Sequence, residues 1–459
     1  MALFFDTLLT DGGWQRDVRL VIEAGRIARM ETGACAAGDE RHAIGIPGLG
    51  NVHSHAFQRG MAGLAERRGE HDDDSFWTWR ETMYRFVDRI GPDELRAIAG
   101  LAYMEMLEAG FTRVGEFHYL HHDLDGGRYG NPAEMAVAIA DAADTSGIGL
   151  TLLPVFYAHA GFGGQPPGPG QRRFVHDVDG FGRLVEASRA AVAPLGDAVV
   201  GIAPHSLRAI MPRELTAILP FAGGGPVHIH VAEQAREVAD CLVWCGARPV
   251  EWLLDNAPVD ERWCLVHATH LAGDEVARLA ASGSVAVLCP ITEANLGDGV
   301  FPAAVFLGAG GRFGIGTDSN VLIDAAEELR LLEYGQRLVA QRRNVLADAA
   351  RLSTGARLFA GALAGSAQAL GVAGSAQALG VAGGIAVGAS ADIVALDGDH
   401  PALVAREGDR ILDSWIFAAR GSCVDTVWRR GRKLVSGGRH HDAAAITARY
   451  RAVMTRLLA

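Results

Sequence analysis

His53-Ser54-His55 sets two imidazoles at positions i and i+2. In an extended strand such residues project to the same side, so both rings can reach one cation. His230 and Asp318 end two further apolar runs. Three imidazoles and a carboxylate suit Zn²⁺ or another borderline divalent ion, with one position left for water. One divalent metal ion, with zinc expected, is the cofactor implied. Such an ion lowers the pKa of bound water and supplies a nucleophile near neutral pH. Hydrolysis by that route also needs a proton carrier. Glu233 follows His230 by three residues in HVAE, and His267 ends another run. Either could exchange protons with the water and the leaving group. An isolated Glu in that position would be read as a solvated residue opening a helix.

Eight apolar runs carry these residues: 42–55, 111–120, 148–160, 198–207, 226–233, 262–270, 285–294 and 313–320. Each is short and rich in Val, Ile, Leu or Phe, as a strand covered on both faces should be. Segments of helical period, such as PDELRAIAGLAYMEMLEAG (92–110), separate most of them. Eight strands with crossover helices predict an α/β fold of the (β/α)8 TIM-type barrel. Reactive side chains cluster at the C-terminal ends of the runs, which is where such barrels build their sites. A doubly wound open sheet is the alternative, but no glycine-rich phosphate loop follows the first run. Strand-like segments at both termini predict a small β-sandwich domain. The expected division is 1–47 and 386–459 for that domain, the latter with a terminal helix, and 48–385 for the barrel.

The 459 residues are 49% hydrophobic and 21% charged, with net charge −12. That is globular composition without a basic stripe, so nucleic acid is not an expected partner. No run approaches the roughly 20 apolar residues that span a bilayer, so no membrane partner is expected. The start, MALFFDTLLTDGG, lacks the basic segment of a secretory signal, and a cytoplasmic location is expected. Cys241 and Cys245 are one helical turn apart and read as reduced cysteines packed on a helix. His228 reads as packing its strand, and His118 and His270 as structural or supporting residues. His71, His121, His122, His176, His400, His440 and His441 read as surface or loop residues. Two insertions, 56–91 and the Gly/Pro-rich 160–173, have the length of lids or binding loops. GSAQALGVA occurs at 365–373 and again at 374–382. Two copies are too few for a solenoid and suggest a duplication at an exposed helix end or loop.

PGLGNVHSH (47–55), HVAE (230–233), the run ending at His267 and GTDS (316–319) together resemble the deaminase-like branch of the amidohydrolase superfamily. The resemblance covers nearly the whole chain. Binuclear members carry a carboxylated lysine at the fourth strand. Here that run holds Pro204-His205 and the only lysine is Lys433, so a mononuclear member is implied. HSHAFQRGMAGL (53–64), FWTWRETMY (76–84), GEFHYLHH (115–122) and PHSLRA (204–209) resemble the formimidoylglutamate deiminase family. That family's reaction, in histidine degradation, hydrolyses N-formimidoyl-L-glutamate to N-formyl-L-glutamate and ammonia. The resemblance implies substrate contacts at Gln58, Arg80, Tyr119, His205 and Arg208, and a homodimer. The chemistry agrees, because a dicarboxylate amidine calls for arginine forks and neutral donors. In the implied mechanism the water loses a proton to Asp318 or Glu233, and Glu233 protonates the departing nitrogen. His267 hydrogen-bonds the nucleophile or the tetrahedral centre. The competing expectation is a nucleobase or nucleoside aminohydrolase, or a chlorohydrolase, with Trp77 and Trp79 stacking on a flat ring. A scaffold without chemistry would be expected to lack some of these groups.

Overall fold

The computed structural model describes residues 1–67, 74–372 and 384–459. Its strands, in chain order, are β1 (Ala2–Thr10), β2 (Gly13–Glu23), β3 (Arg26–Thr32), β4 (Glu40–Pro47), β5 (Leu49–Ser54), β6 (Phe111–His118), β7 (Gly149–Phe156), β8 (Val199–Val200), β9 (Ala203–Pro204), β10 (Val227–Val231), β11 (Trp263–His267), β12 (Val285–Leu288), β13 (Arg312–Ile315), β14 (Ile393–Leu396), β15 (Val424–Arg429), β16 (Arg432–Ser436) and β17 (Arg439–His440).

Two parallel sheets, β5-β6-β7-β8 and β10-β11-β12-β13, make the barrel wall, with β9 paired to β7. Parallel bridges from Ile202 to Val227, from Ser206 to His230 and from Ser54 to Asp318 join them. The last seam is tight: Thr317 N and Asp318 N donate to His53 O at 3.0 and 2.9 Å, and His55 N to Asp318 O at 2.9 Å. The ring is therefore the predicted barrel. Every residue of β5, β6, β7, β10, β11 and β12 is buried, which is why these runs are apolar rather than alternating. The fourth strand is split at Gly201, where a Cβ would stand 2.3 Å from Pro226 O. Two runs are shorter than the sequence suggests. Residues 42–55 break at Gly48 into β4 and β5, and 285–294 turns at Cys289 into the helix Pro290–Leu296.

The helix Thr354–Ala369 seals the N-terminal end of the barrel. Gly365 lies so close to β13 that a Cβ there would be 1.8 Å from Phe313 O. The Ser366 hydroxyl accepts from Gly50 N at 3.4 Å, and His228 Nε2 donates to Ala369 O at 2.9 Å. This corrects one expectation. The first GSAQALGVA copy is largely buried against the barrel, because its small residues admit close helix–strand contact. The second copy, 374–382, lies outside the described residues, as does His71.

The strands of both termini form one eight-stranded sheet, β17-β16-β15-β14-β4-β1-β2-β3. Strand periodicity divides its faces. Ile393 and Ala395 join a separate core with Leu3, Phe5, Val18 and Trp428, whereas Val394 and Leu396 join the barrel's core. Cys241 and Cys245 lie on the helix Ala235–Cys245 as expected, Cys241 buried and the sulfurs 3.9 Å apart. His121, His122, His176 and His440, by contrast, are buried rather than superficial. Tertiary carbonyls accept from three of them: His121 Nε2 bonds Val155 O at 3.0 Å, His122 Nε2 bonds Val175 O at 2.8 Å and His440 Nε2 bonds Ser146 O at 2.8 Å.

Candidate metal centre and substrate cavity

His53 and His55 sit at the end of β5, His230 in β10, and Asp318 just beyond β13. Their ligand atoms all lie within 4.8 Å of one another, and all four residues are buried. His53 Nε2 is 3.1 Å from His230 Nε2 and 3.3 Å from Asp318 Oδ1, and His55 Nε2 is 3.2 Å from the same oxygen. With metal bonds of about 2.0–2.1 Å, neighbouring tetrahedral ligands lie about 3.3–3.4 Å apart, so the donor set fits a small divalent ion. Tautomers agree. His55 Nδ1 contacts Phe117 O at 2.9 Å and His230 Nδ1 contacts His205 O at 3.1 Å. Those nitrogens must carry the protons, which leaves each Nε2 lone pair facing the centre. Burial holds the His53 imidazole near pKa 3 and His230 well below its ordinary value, so both rings are neutral, as candidate metal ligands must be. Against burial, His53, His55 and His267 hold the Asp318 carboxyl in its ionised form.

A polar frame aligns these strand ends. Asn51 Nδ2 donates to Thr317 Oγ1 at 2.6 Å, and Thr317 Oγ1 donates to Asn320 Oδ1 at 2.5 Å. Asn320 Nδ2 reaches Ser54 Oγ, His55 O and Asp318 O, each at 3.1 Å. Asp318 has φ +44°, and His267 and Ala232 have φ +67° and +51°. Left-handed backbone at non-glycine residues is costly and is held only where surrounding bonds over-determine it. Asn51 and Asn320 have no role that spacing alone assigns. Their occurrence inside PGLGN and GTDSN is the only sequence signal.

Glu233 lies beside the metal ligands. Burial pushes its carboxyl up, while His267 and Arg208 pull it down, and the net shift is upward. His267 Nε2 is 3.9 Å from Glu233 Oε1 and 3.8 Å from Asp318 Oδ2, and its Nδ1 contacts Glu293 Oε1 at 3.2 Å. Burial opposes its charge, but Glu233, Glu293 and Asp318 outweigh burial and raise its pKa. Glu237 accepts from Ala232 N and Glu233 N, both at 3.2 Å, and thereby fixes the peptide that carries the acid–base candidate.

All five expected substrate residues line one cavity with His55, His230, Glu233, His267 and Asp318. Gln58 Nε2 donates to Tyr119 Oη at 2.9 Å, and the His205 ring packs on His230 at 5.0 Å. Arg208 Nη2 is 3.7 Å from Glu233 Oε2 and 4.0 Å from Glu237 Oε2. Arg80 Nε and Arg208 Nε are buried and have no acceptor among the described residues. The 56–91 insertion covers its own chain's cavity. Its helix Phe76–Val87 presents Phe76, Trp79, Arg80, Met83 and Tyr84, one face at helical spacing. Trp77 lies off the cavity, under the guanidiniums of Arg80 (4.6 Å), Arg236 (4.9 Å) and Arg208 (5.9 Å). It braces cations rather than offering a stacking surface. Tyr157 and Phe174 complete the wall. Tyr157 is among the reactive residues that end the runs but has no contact assigned to it from sequence, and Phe174 is not singled out, because nothing in the sequence shows the chain after the Gly/Pro-rich loop folding back onto the mouth.

Residues 44–434 match the amidohydrolase family, and residues 3–43 match the N-terminal domain of formimidoylglutamate deiminase HutF. The formimidoylglutamate deiminase of Pseudomonas aeruginosa is 50% identical over 442 residues, 96% of this chain and 95% of that one. An amidohydrolase of Brucella melitensis, known from its crystal structure, superposes with TM-score 0.95 at 51% identity, covering 100% of both chains. An adenosine deaminase of Xanthomonas campestris with bound zinc shares the fold at TM-score 0.81 and 23% identity, over 100% of this chain and 98% of that one. With its metal-ligand geometry at the mouth of a closed barrel and a family match across most of its length, this chain belongs to the amidohydrolase family.

Proposed function

We propose that this protein is a metal-dependent formimidoylglutamate deiminase of histidine degradation, a hydrolase acting on a non-peptide C–N bond. One observation carries the proposal: two guanidiniums with unspent buried N–H donors share a cavity with Glu233 and the four-residue donor set. A neutral flat base offers no anionic acceptor to those N–H donors, whereas a dicarboxylate does. The half-identical Pseudomonas aeruginosa relative bears the same activity in its name.

His53, His55, His230 and Asp318 would hold one divalent ion, with zinc expected. Such an ion would lower the pKa of a water molecule so that it can attack near neutral pH. Arg80 and Arg208, with Gln58, Tyr119 and His205, hold the substrate's carboxylates and present its formimidoyl carbon to the water. Glu233 and Asp318 attract the protonated amidine. Glu233 accepts a proton from the water as the C–O bond forms and delivers it to the terminal nitrogen as the C–N bond breaks; Asp318 or Glu233 takes the remaining hydroxyl proton as the C=O forms and passes it to the departing ammonia, which leaves as ammonium. The raised proton affinity of Glu233 suits both its steps. His267 donates to the developing oxyanion. The balance is protonated N-formimidoyl-L-glutamate plus water giving N-formyl-L-glutamate plus ammonium. A homodimer, a cytoplasmic location and the division of the chain at 47/48 and 385/386 belong to the same proposal.

The test is ammonia release from N-formimidoyl-L-glutamate set against guanine, cytosine and adenosine derivatives, with metal content measured on the same preparation. Preferred turnover of a nucleobase, or full activity without metal, would overturn the assignment.

A further inference from the structure

Tyr157 follows β7 and is 5% exposed. It lines the cavity beside Arg80 and Arg208. Its ring packs on His205 at 4.7 Å and on Phe174 at 5.8 Å, which fixes the direction of the hydroxyl. The phenol oxygen accepts a hydrogen bond from Gln171 Nε2 at 2.6 Å. The orientation of that amide is set, because Gln171 Oε1 accepts from Gly168 N at 2.8 Å. A phenol carries one proton to donate. Here the oxygen already serves as acceptor to the amide, so the proton remains available for the cavity. The Tyr119 oxygen also accepts from a glutamine, Gln58 Nε2 at 2.9 Å, but its own proton is directed to Met83 Sδ at 3.9 Å. The cavity thus offers two guanidiniums and the unspent phenolic proton of Tyr157, a donor set for two carboxylates rather than one. The charges of Arg208 and Arg80 both act on Tyr157, against the effect of burial.

We propose that Tyr157 is a specificity-determining residue that donates its phenolic proton to one carboxylate of the substrate, with Gln171 as the positioning residue that keeps that proton aimed into the cavity. This rests on the deiminase reading above and deepens it. The Gly/Pro-rich loop then bears on recognition through Gln171, while Arg80 and Arg208 carry the charge.

Steady-state kinetics on the metal-replete enzyme test the proposal, using Tyr157→Phe and Gln171→Met. The substrates are N-formimidoyl-L-glutamate and its two monoamides, each carboxylate being neutralised in turn. A hydrogen bond to a charged group is large enough that Tyr157→Phe should raise KM for the diacid about 10- to 100-fold. For one of the monoamides the same substitution should change KM less than about threefold, because the carboxylate served by Tyr157 is already gone. Gln171→Met keeps the phenol and should raise KM for the diacid by less than Tyr157→Phe does. Calorimetric binding of N-formyl-L-glutamate should reproduce these ratios without turnover. Equal losses on the diacid and both monoamides, or equal effects of the two variants, would reduce Tyr157 to a loop anchor and overturn the proposal. A wild-type enzyme that neither hydrolyses N-formimidoyl-L-glutamate nor binds N-formyl-L-glutamate overturns the deiminase reading itself, and this proposal with it.

Discussion

Replacing Arg208 with Gln removes a cation and keeps most of the side-chain volume. Arg208 is 9% exposed and stands 3.7 Å from Glu233 and 4.0 Å from Glu237, carboxylates that outweigh burial and raise its pKa. Two losses follow. A bidentate guanidinium–carboxylate pair supplies two charge-assisted bonds, together worth about 3–5 kcal/mol. At about 1.4 kcal/mol per decade, that is about 10²–10⁴-fold in kcat/KM for the diacid. Independently, Glu233 and Glu237 lose their shared cation, which raises the proton affinity of Glu233 and slows any substrate. The assay that separates these effects measures ammonia release from N-formimidoyl-L-glutamate and from an N-formimidoyl alkylamine without carboxylates. The alkylamine reports the effect on Glu233 alone. Arg208→Gln should penalise the diacid at least about tenfold more than the alkylamine. Equal penalties would refute Arg208 as a carboxylate clamp and leave it only a neighbour of the acid–base residue.

Glu233→Gln should lower kcat by about 10²–10⁴-fold with metal content unchanged, because the backbone at 232–233 is held by Glu237. Near wild-type turnover by metal-loaded Glu233→Gln enzyme would refute its role. Burial raises the Glu116 carboxyl from 4.5 to about 8, so the folded protein keeps a proton that the unfolded chain releases. Its contribution to stability is complete below pH 4.5 and is lost as pH rises towards 8. Glu116→Gln retains an acceptor for Ala56 N, so its Tm relative to wild type should climb between pH 5 and 8.5, as thermal denaturation would report. Gly365→Ala should lower Tm by about 1–3 °C, since a methyl group there meets Phe313 O at 1.8 Å; an unchanged melting curve would show that the sealing helix can shift freely.

The barrel and its candidate metal-donor set were legible because two simple patterns govern them. Strands buried on both faces must be apolar, and i, i+2 histidines in such a strand share a side, so 53–55, 230 and 318 stood out at the ends of their runs. The proposed substrate contacts come from resemblance; the structure brings all five to one cavity, and their types agree with the chemistry of a diacid. Other features depend on contacts far apart in sequence. Apolarity alone could not reveal that the run from 285 turns helical at Cys289, or that Gly48 divides one run between two sheets. Polar residue type marked His121, His122 and His176 as superficial, yet Val155 O and Val175 O accept from the first two, and the His176 ring packs on both. Nor could local pattern foresee that Trp77 would brace three guanidiniums, or that a Gly/Pro-rich loop would turn Gln171 onto Tyr157. Residue identity settled which reactive groups stand at each strand end, because burial and strand geometry act locally. Chain closure alone decided the 3.1–3.3 Å spacing of the donor atoms, the left-handed backbone at Asp318 and the raised proton affinity of Glu233, since each arises from groups on different strands meeting in one buried space.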